Sequence, residues 1–136
     1  MNIYFSCSIT GGRQDQHMYK AIVDHLQAEG HEIPTAILAS PDVMEEEIVV
    51  APGDVYQRDV AWVEGCQALI AEVSTPSHGV GYEIALALCL NKPVLCLYQD
   101  GKKVSKMLTG NTHPNFTIHT YHTPDEAISF IREFLS

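Results

Sequence analysis

The sequence predicts an α/β domain: an open, parallel, five-stranded sheet of flavodoxin-like or Rossmann-like order, flanked by helices on both faces. Three observations carry that expectation. Short apolar runs of strand length alternate with amphipathic or apolar stretches of helix length, the pattern of βαβ units. Glycine, proline and small hydroxyl residues stand at the switches between them. One run, Val94 to Tyr98, is almost wholly apolar, as expected of a central parallel strand covered on both faces. Right-handed crossovers leave few topologies, of which the flavodoxin-like order is the natural choice.

Asn2 to Cys7 is the first expected strand. The turn Ser8 to Asp15 leads into a helix over residues 14–29, with Ile22, Val23 and Leu26 on its apolar stripe and Gly30 as its stop. A loop after the first strand commonly cradles a phosphate. This one matches neither G-x-G-x-x-G nor a Walker pattern, so a tight turn built on two glycines is an equal reading. His31 to Leu38 is expected as a second strand, set at an edge by Pro34. Residues 39–53 show little periodicity beyond a short helix over Met44 to Val50, and Glu45, Glu46 and Glu47 read as a solvated face.

Asp54 to Gly65 reads as a helix containing Arg58 and Asp59, a dipeptide that ordinarily lies at the surface. Gln67 to Val73 is the third strand, followed by a loop and a helix through Leu90, which Asn91-Lys92-Pro93 breaks. Val94 to Tyr98 is the fourth strand. A polar connection over Gln99 to Pro114 leads to the fifth, Phe116 to Tyr121. Thr123-Pro124-Asp125-Glu126 is a capped start for the last helix, with Pro at its first position and Ile128, Ile131, Phe134 and Leu135 on its stripe.

Composition narrows the function. With 136 residues and no internal repeat, one domain over residues 1–136 is expected. Seventeen acidic against eight basic residues, a net charge of -9, argue against a nucleic-acid polymer as partner. A single nucleotide still fits, since backbone N–H groups and hydroxyls can hold one phosphate. No apolar run approaches the ~20 residues of a membrane span, and the start lacks a basic signal segment. No membrane partner and a cytoplasmic address are therefore expected. Cys7, Cys66, Cys89 and Cys96 read as buried reduced thiols, and neither they nor the seven histidines show metal-ligand spacing. No metal and no cofactor are expected.

The chemistry concentrates in Glu72-Val73-Ser74-Thr75-Pro76-Ser77-His78-Gly79-Val80-Gly81-Tyr82-Glu83, between the strand run Ala68-Leu69-Ile70-Ala71 and the apolar helix from Ile84. Such a strand-to-helix loop is where open α/β sheets bind ligands. The spacing puts Glu83 in or near the first helical turn, where N–H groups and the helix dipole favour an ionised carboxylate. That suits a plain capping glutamate first, and also a nucleophile.

Three blocks of the chain resemble the nucleoside 2-deoxyribosyltransferase superfamily, and within it most closely the hydrolytic 2′-deoxynucleoside 5′-monophosphate N-glycosidases. They are Ile3-Tyr4-Phe5-x-x-Ser8-Ile9-x-Gly11-Gly12-Arg13, then Arg58-Asp59-x-x-Trp62, then Ala71-Glu72-Val73-x-x-Pro76-Ser77-x-Gly79-Val80-Gly81-Tyr82-Glu83. A weaker block is Ser105-x-Met107-Leu108-x-Gly110. The resemblance implies that Glu83 is the nucleophile and forms a covalent deoxyribosyl-enzyme that water resolves. It implies a second active-site acid at Asp59, concerned with the sugar and the departing base, and a tyrosine at Tyr4 that orients the nucleophile. A core strand aromatic is the other reading of Tyr4. It further implies substrate and phosphate contacts from Ser8, Ile9, Thr10, Gly11, Arg13, Ser77 and Gly79. Ser105, with Met107, would come from the neighbouring subunit, so a homodimer with shared active sites is expected.

Two departures stand out. Thr10 lies where the family often has Arg, removing a charged phosphate contact of about 1.5–3 kcal/mol. Cys7 lies where a Gly often precedes the serine. Both bear on how strictly a 5′-phosphate is required, and on the choice of deoxyribose over ribose. Within the superfamily the alternatives are a transferase passing deoxyribose to a second base and a cytidine-monophosphate type ribonucleotide N-glycosidase. From a different class, a flavodoxin-like electron carrier or nucleotide-sensing module shares the fold expectation.

Overall fold

The computed structural model describes residues 1–9, 14–42, 47 and 49–136. Four parallel strands form one sheet in the order β1 (Ile3–Ser6), β2 (Ala68–Glu72), β3 (Val94–Gln99) and β4 (Phe116–Tyr121). Ile3 lies opposite Ala68, Leu69 opposite Val94, and Val94 opposite Phe116. The two middle strands are buried along most of their length, which is why Ala68 to Ala71 and Val94 to Leu97 carry no polar side chain except the Cys96 thiol.

Strand alternation sorts the side chains onto two faces. Ile3, Phe5, Ile70, Leu95 and Leu97 pack against α1 (Gln16–Ala28) and α5 (Pro124–Leu135), through Tyr19, Ile22, Leu26 and Ile131. Tyr4, Leu69, Ala71, Val94 and Cys96 face α2 (Pro52–Gly65) and α3 (His78–Cys89), through Val63, Val80, Ile84 and Ala87. Between β3 and β4 stands a one-turn helix, α4 (Lys106–Thr109). The helix boundaries follow local chemistry. Pro52 opens α2 within its first two positions, and Thr123 caps α5 by accepting from the Glu126 N–H at 3.2 Å. After α1 the chain reverses at Gly30, whose φ of +90° suits glycine, while Gly30 N and His31 N donate to the carbonyls of Gln27 and Leu26.

Among the described residues the sheet has four strands, not five. The expected strand over His31 to Leu38 shrinks to one parallel bridge between Asn2 and Glu32, after which Ala36–Ala39 turn into a 3-10 segment. Pro34 has no N–H to offer a ladder. The Thr35 hydroxyl takes over instead: it accepts from Phe5 N at 3.0 Å and donates to Phe5 O at 2.7 Å, standing in for a missing strand. The observed order is thus a flavodoxin-like order with its outer strand beside β1 lost. Cys89 corrects another expectation, being exposed while Cys7, Cys66 and Cys96 are buried. The short helix expected over Met44 to Val50 falls largely outside the described residues. No helix among the described residues is long and apolar enough to cross a membrane.

Candidate active site

β1 aims two side chains at one carboxylate. Tyr4 and Ser6 are two residues apart, so they share the face that looks toward α3. The Tyr4 hydroxyl donates to Glu83 Oε2, and the Ser6 hydroxyl donates to Glu83 Oε1 at 3.0 Å. Tyr4 is fully buried, a core aromatic whose phenol still has this polar partner.

Ser77 caps α3, its hydroxyl accepting from Val80 N at 3.3 Å, and His78 is the first helical residue. Glu83 therefore stands in the second turn. This corrects the expectation of a first-turn carboxylate kept ionised by the helix end. Burial dominates, pushing the Glu83 carboxyl from an ordinary 4.5 up to about 8.

Asp59 projects from α2 into the same cavity. Arg58 Nε donates to Asp59 Oδ1 at 2.8 Å, and its terminal nitrogens reach Glu47 at 3.0 and 3.4 Å. The guanidinium also lies 4.8 Å from the centre of the Trp62 ring. Burial raises the Asp59 carboxyl above its ordinary value, and Arg58 only partly offsets this. Burial works against the Arg58 charge, but its bonds to Glu47 and Asp59 outweigh that and hold it above its ordinary value. Glu47, expected on a solvated face, is instead half-buried and lines the cavity.

The cavity has a volume of about 680 Å³ and lies between α2 and α3 at the carboxyl ends of the strands. Glu83, Asp59, Ile9, Ser77 and Gly79 all line it, as does His78. Apolar groups such as Val55, Val60 and Leu86 make up much of the remaining wall. Tyr4 does not line the cavity; it meets it only through its bond to Glu83. Ser8 is fully buried, and its neighbours Cys7 and Ile9 reach the cavity in its place. Ser105 caps α4, accepting from Met107 N at 3.2 Å, and Met107 is 82% exposed. Neither lines the cavity of its own chain. Thr10, Gly11 and Arg13 lie outside the described residues.

Ser6 was not anticipated from the sequence. Its signal was there: a polar residue two positions after Tyr4 on a strand must face the same side. For Arg58 the i,i+4 spacing to Trp62 on one helix was a signal, but Glu47 meets it only once α2 is packed.

Residues 3–128 match the family described as nucleoside 2-deoxyribosyltransferase. A Nematostella vectensis protein, provisionally named a 2′-deoxynucleoside 5′-phosphate N-hydrolase, is 43% identical over 90% of this chain and 86% of its own. A Danio rerio protein named 5-hydroxymethyl-dUMP N-hydrolase is 38% identical over 98% of this chain and 95% of its own. The fold is shared with a Clostridium botulinum CMP N-glycosidase, at a TM-score of 0.73 and 18% identity over 98% of this chain and 99% of that one. On the strength of that match and these identities, the chain belongs to the nucleoside 2-deoxyribosyltransferase family.

Proposed function

We propose that this chain hydrolyses the N-glycosidic bond of nucleoside 5′-monophosphates, 2′-deoxynucleotides foremost, releasing free base and sugar 5-phosphate through an ester between Glu83 and the sugar. The observation that carries this reading is the Glu83 carboxylate, held at both oxygens by Tyr4 and Ser6 and set in one cavity wall with Asp59. The names of the relatives, which specify N-hydrolysis of nucleotides, support it.

The chemistry follows from the groups present. Departure of the base leaves positive charge on the sugar's anomeric carbon, which a fixed carboxylate stabilises and then captures. A Glu83 oxygen forms the new C–O bond as the C–N bond breaks, and the electron pair leaves with the base nitrogen. Asp59, the acid in the same cavity wall whose carboxyl burial raises above its ordinary value, supplies the proton the base needs. Water then attacks the anomeric carbon, gives its proton back to Asp59, and restores the Glu83 carboxylate. Each Glu83 oxygen accepts one hydrogen bond, leaving lone pairs for attack.

On this reading Ser77 and Gly79 at the start of α3, with the Ser8 to Arg13 stretch, hold the 5′-phosphate, where helix N–H groups favour an anion. Ser105 and Met107 complete the site of a neighbouring copy in a homodimer. Their exposure and their absence from their own cavity wall support this.

The test is release of free base from a panel of nucleosides and 5′-monophosphates, in deoxy and ribo forms, with Glu83→Gln beside the wild type. Hydrolysis of deoxynucleotides, lost in Glu83→Gln, supports the proposal. Base release only when an acceptor base is present makes the chain a transferase. No turnover on any substrate overturns the role of Glu83.

A further inference from the structure

The cavity that holds Glu83 is acidic. Among the described residues of its wall, Glu47, Asp59 and Glu83 carry carboxyl groups, and there is no lysine or arginine. The Arg58 guanidinium is not in the wall and is already shared between Asp59 and Glu47. The chain as a whole has a net charge of -9. A nucleotide's 5′-phosphate is repelled by that field unless a cation meets it inside the cavity.

One described group in the wall can supply a positive charge. His78 is the first residue of α3, and its exposed side chain lines the cavity together with Ser77 and Gly79. An imidazole donates from a ring nitrogen in either protonation state, and it is a cation when both nitrogens carry protons. The resemblance gave this position no role, since it is the unmatched residue within Pro76-Ser77-x-Gly79.

The spacing along α3 suits a sugar phosphate. With a helical rise of about 1.5 Å per residue, His78 and Glu83 stand about 7–8 Å apart along the axis. That leaves room for a sugar whose anomeric carbon meets Glu83 and whose 5-phosphate lies toward His78. Gly79, one turn before Glu83 on the same face, has no side chain to fill the space. A Cβ there would meet only Ser77 Oγ, at 3.9 Å.

We infer that His78 is a specificity-determining residue for the 5′-phosphate: beside the Ser77 hydroxyl and the Gly79 N–H, its imidazole supplies the positive charge that the acidic wall otherwise lacks. The inference rests on the nucleotide reading above.

The experiment measures kcat/KM for a deoxynucleoside 5′-monophosphate and the matching deoxynucleoside in the wild type, His78→Leu and His78→Arg. His78 is exposed, so neither substitution opens a cavity in the core. Leucine removes donor and charge; arginine keeps both. His78→Leu is expected to lower kcat/KM for the nucleotide by about tenfold to a hundredfold, the loss of one hydrogen bond between charged groups. The nucleoside stays within about twofold, and His78→Arg keeps the preference for the nucleotide. A wild type that releases base equally well from both substrates, or from neither, overturns the phosphate reading and the role of His78 together. A wild type that prefers the nucleotide, with His78→Leu unchanged or weakened equally on both substrates, overturns the role of His78 alone. A loss in His78→Leu that His78→Arg shares in full also overturns it, because charge at this position is then not what the phosphate needs.

Discussion

The Ser6 hydroxyl lies 3.0 Å from Glu83 Oε1, a bond between residues 77 apart in the chain. With Tyr4 on the other oxygen, it brings two neutral donors to a carboxyl whose burial opposes ionisation. Neutral donors favour the ionised form without placing a second charge in the cavity. Removing one leaves the carboxylate harder to form and less well aimed. Ser6→Ala is expected to lower kcat about tenfold, the scale of one hydrogen bond to a charged group. Tyr4→Phe is expected to cost at least as much. Single-turnover base release checks both, and a Ser6→Ala rate equal to wild type would remove Ser6 from the site.

Nucleophilic attack needs Glu83 ionised. With its carboxyl raised to about 8, kcat/KM is expected to climb as pH rises from 6 to about 8 and then level. The measurement is a pH profile of kcat/KM on the preferred nucleotide. A flat profile from pH 5 to 8 would show that Glu83 ionises at its ordinary value.

The same burial makes Glu83 a destabilising group at high pH. A carboxyl whose folded value of about 8 exceeds its ordinary 4.5 contributes stability that is fully present below about 4.5 and is lost as pH rises through about 8. Glu83→Gln, which carries no charge at any pH, is expected to match the wild type near pH 4.5 and to exceed it near pH 9 by on the order of 2–4 kcal/mol. Denaturant unfolding at the two pH values tests this. Equal stability at pH 9 contradicts it.

Arg58 holds Asp59 from one side and Glu47 from the other. In Arg58→Met, Asp59 loses its charged partner and its carboxyl rises further, so any part of the kcat/KM profile that Asp59 controls moves to higher pH while the maximal rate falls about tenfold or more. Because the guanidinium rests over Trp62, the fluorescence of this single tryptophan should change in the same variant. An unchanged pH profile would deny Arg58 any hold on Asp59.

Thr35→Val tests the fold rather than the chemistry. It leaves the N–H and carbonyl of buried Phe5 without the hydroxyl that serves both. A loss of about 2–4 kcal/mol is expected, with base release per folded molecule unchanged. Denaturant midpoints and active-site titration separate the two effects.

Much of this protein is readable from local pattern. The apolar runs at Ile3, Ala68, Val94 and Phe116 all became strands, and Gly30 and Pro124 mark helix boundaries where backbone chemistry demands them, while α2 starts at Pro52 rather than Asp54. These features are legible because periodicity and backbone constraints act within a few residues. The run from His31 failed because strand propensity says nothing about partners: Pro34 removed a ladder donor, and the Thr35 side chain satisfied Phe5 without a strand. The block ending in Glu83 carried the family resemblance; period two was the available signal for Ser6, and it was not used. Tertiary structure alone decided that Glu83 lies in the second turn of α3, that Asp15 turns from its own helix to Thr75, and that Glu47 meets Arg58. Those outcomes depend on which distant segments burial brings together, and burial also reversed the expected charge preference of Glu83. Local sequence determined most of the elements and named the candidate residues; packing determined their environment.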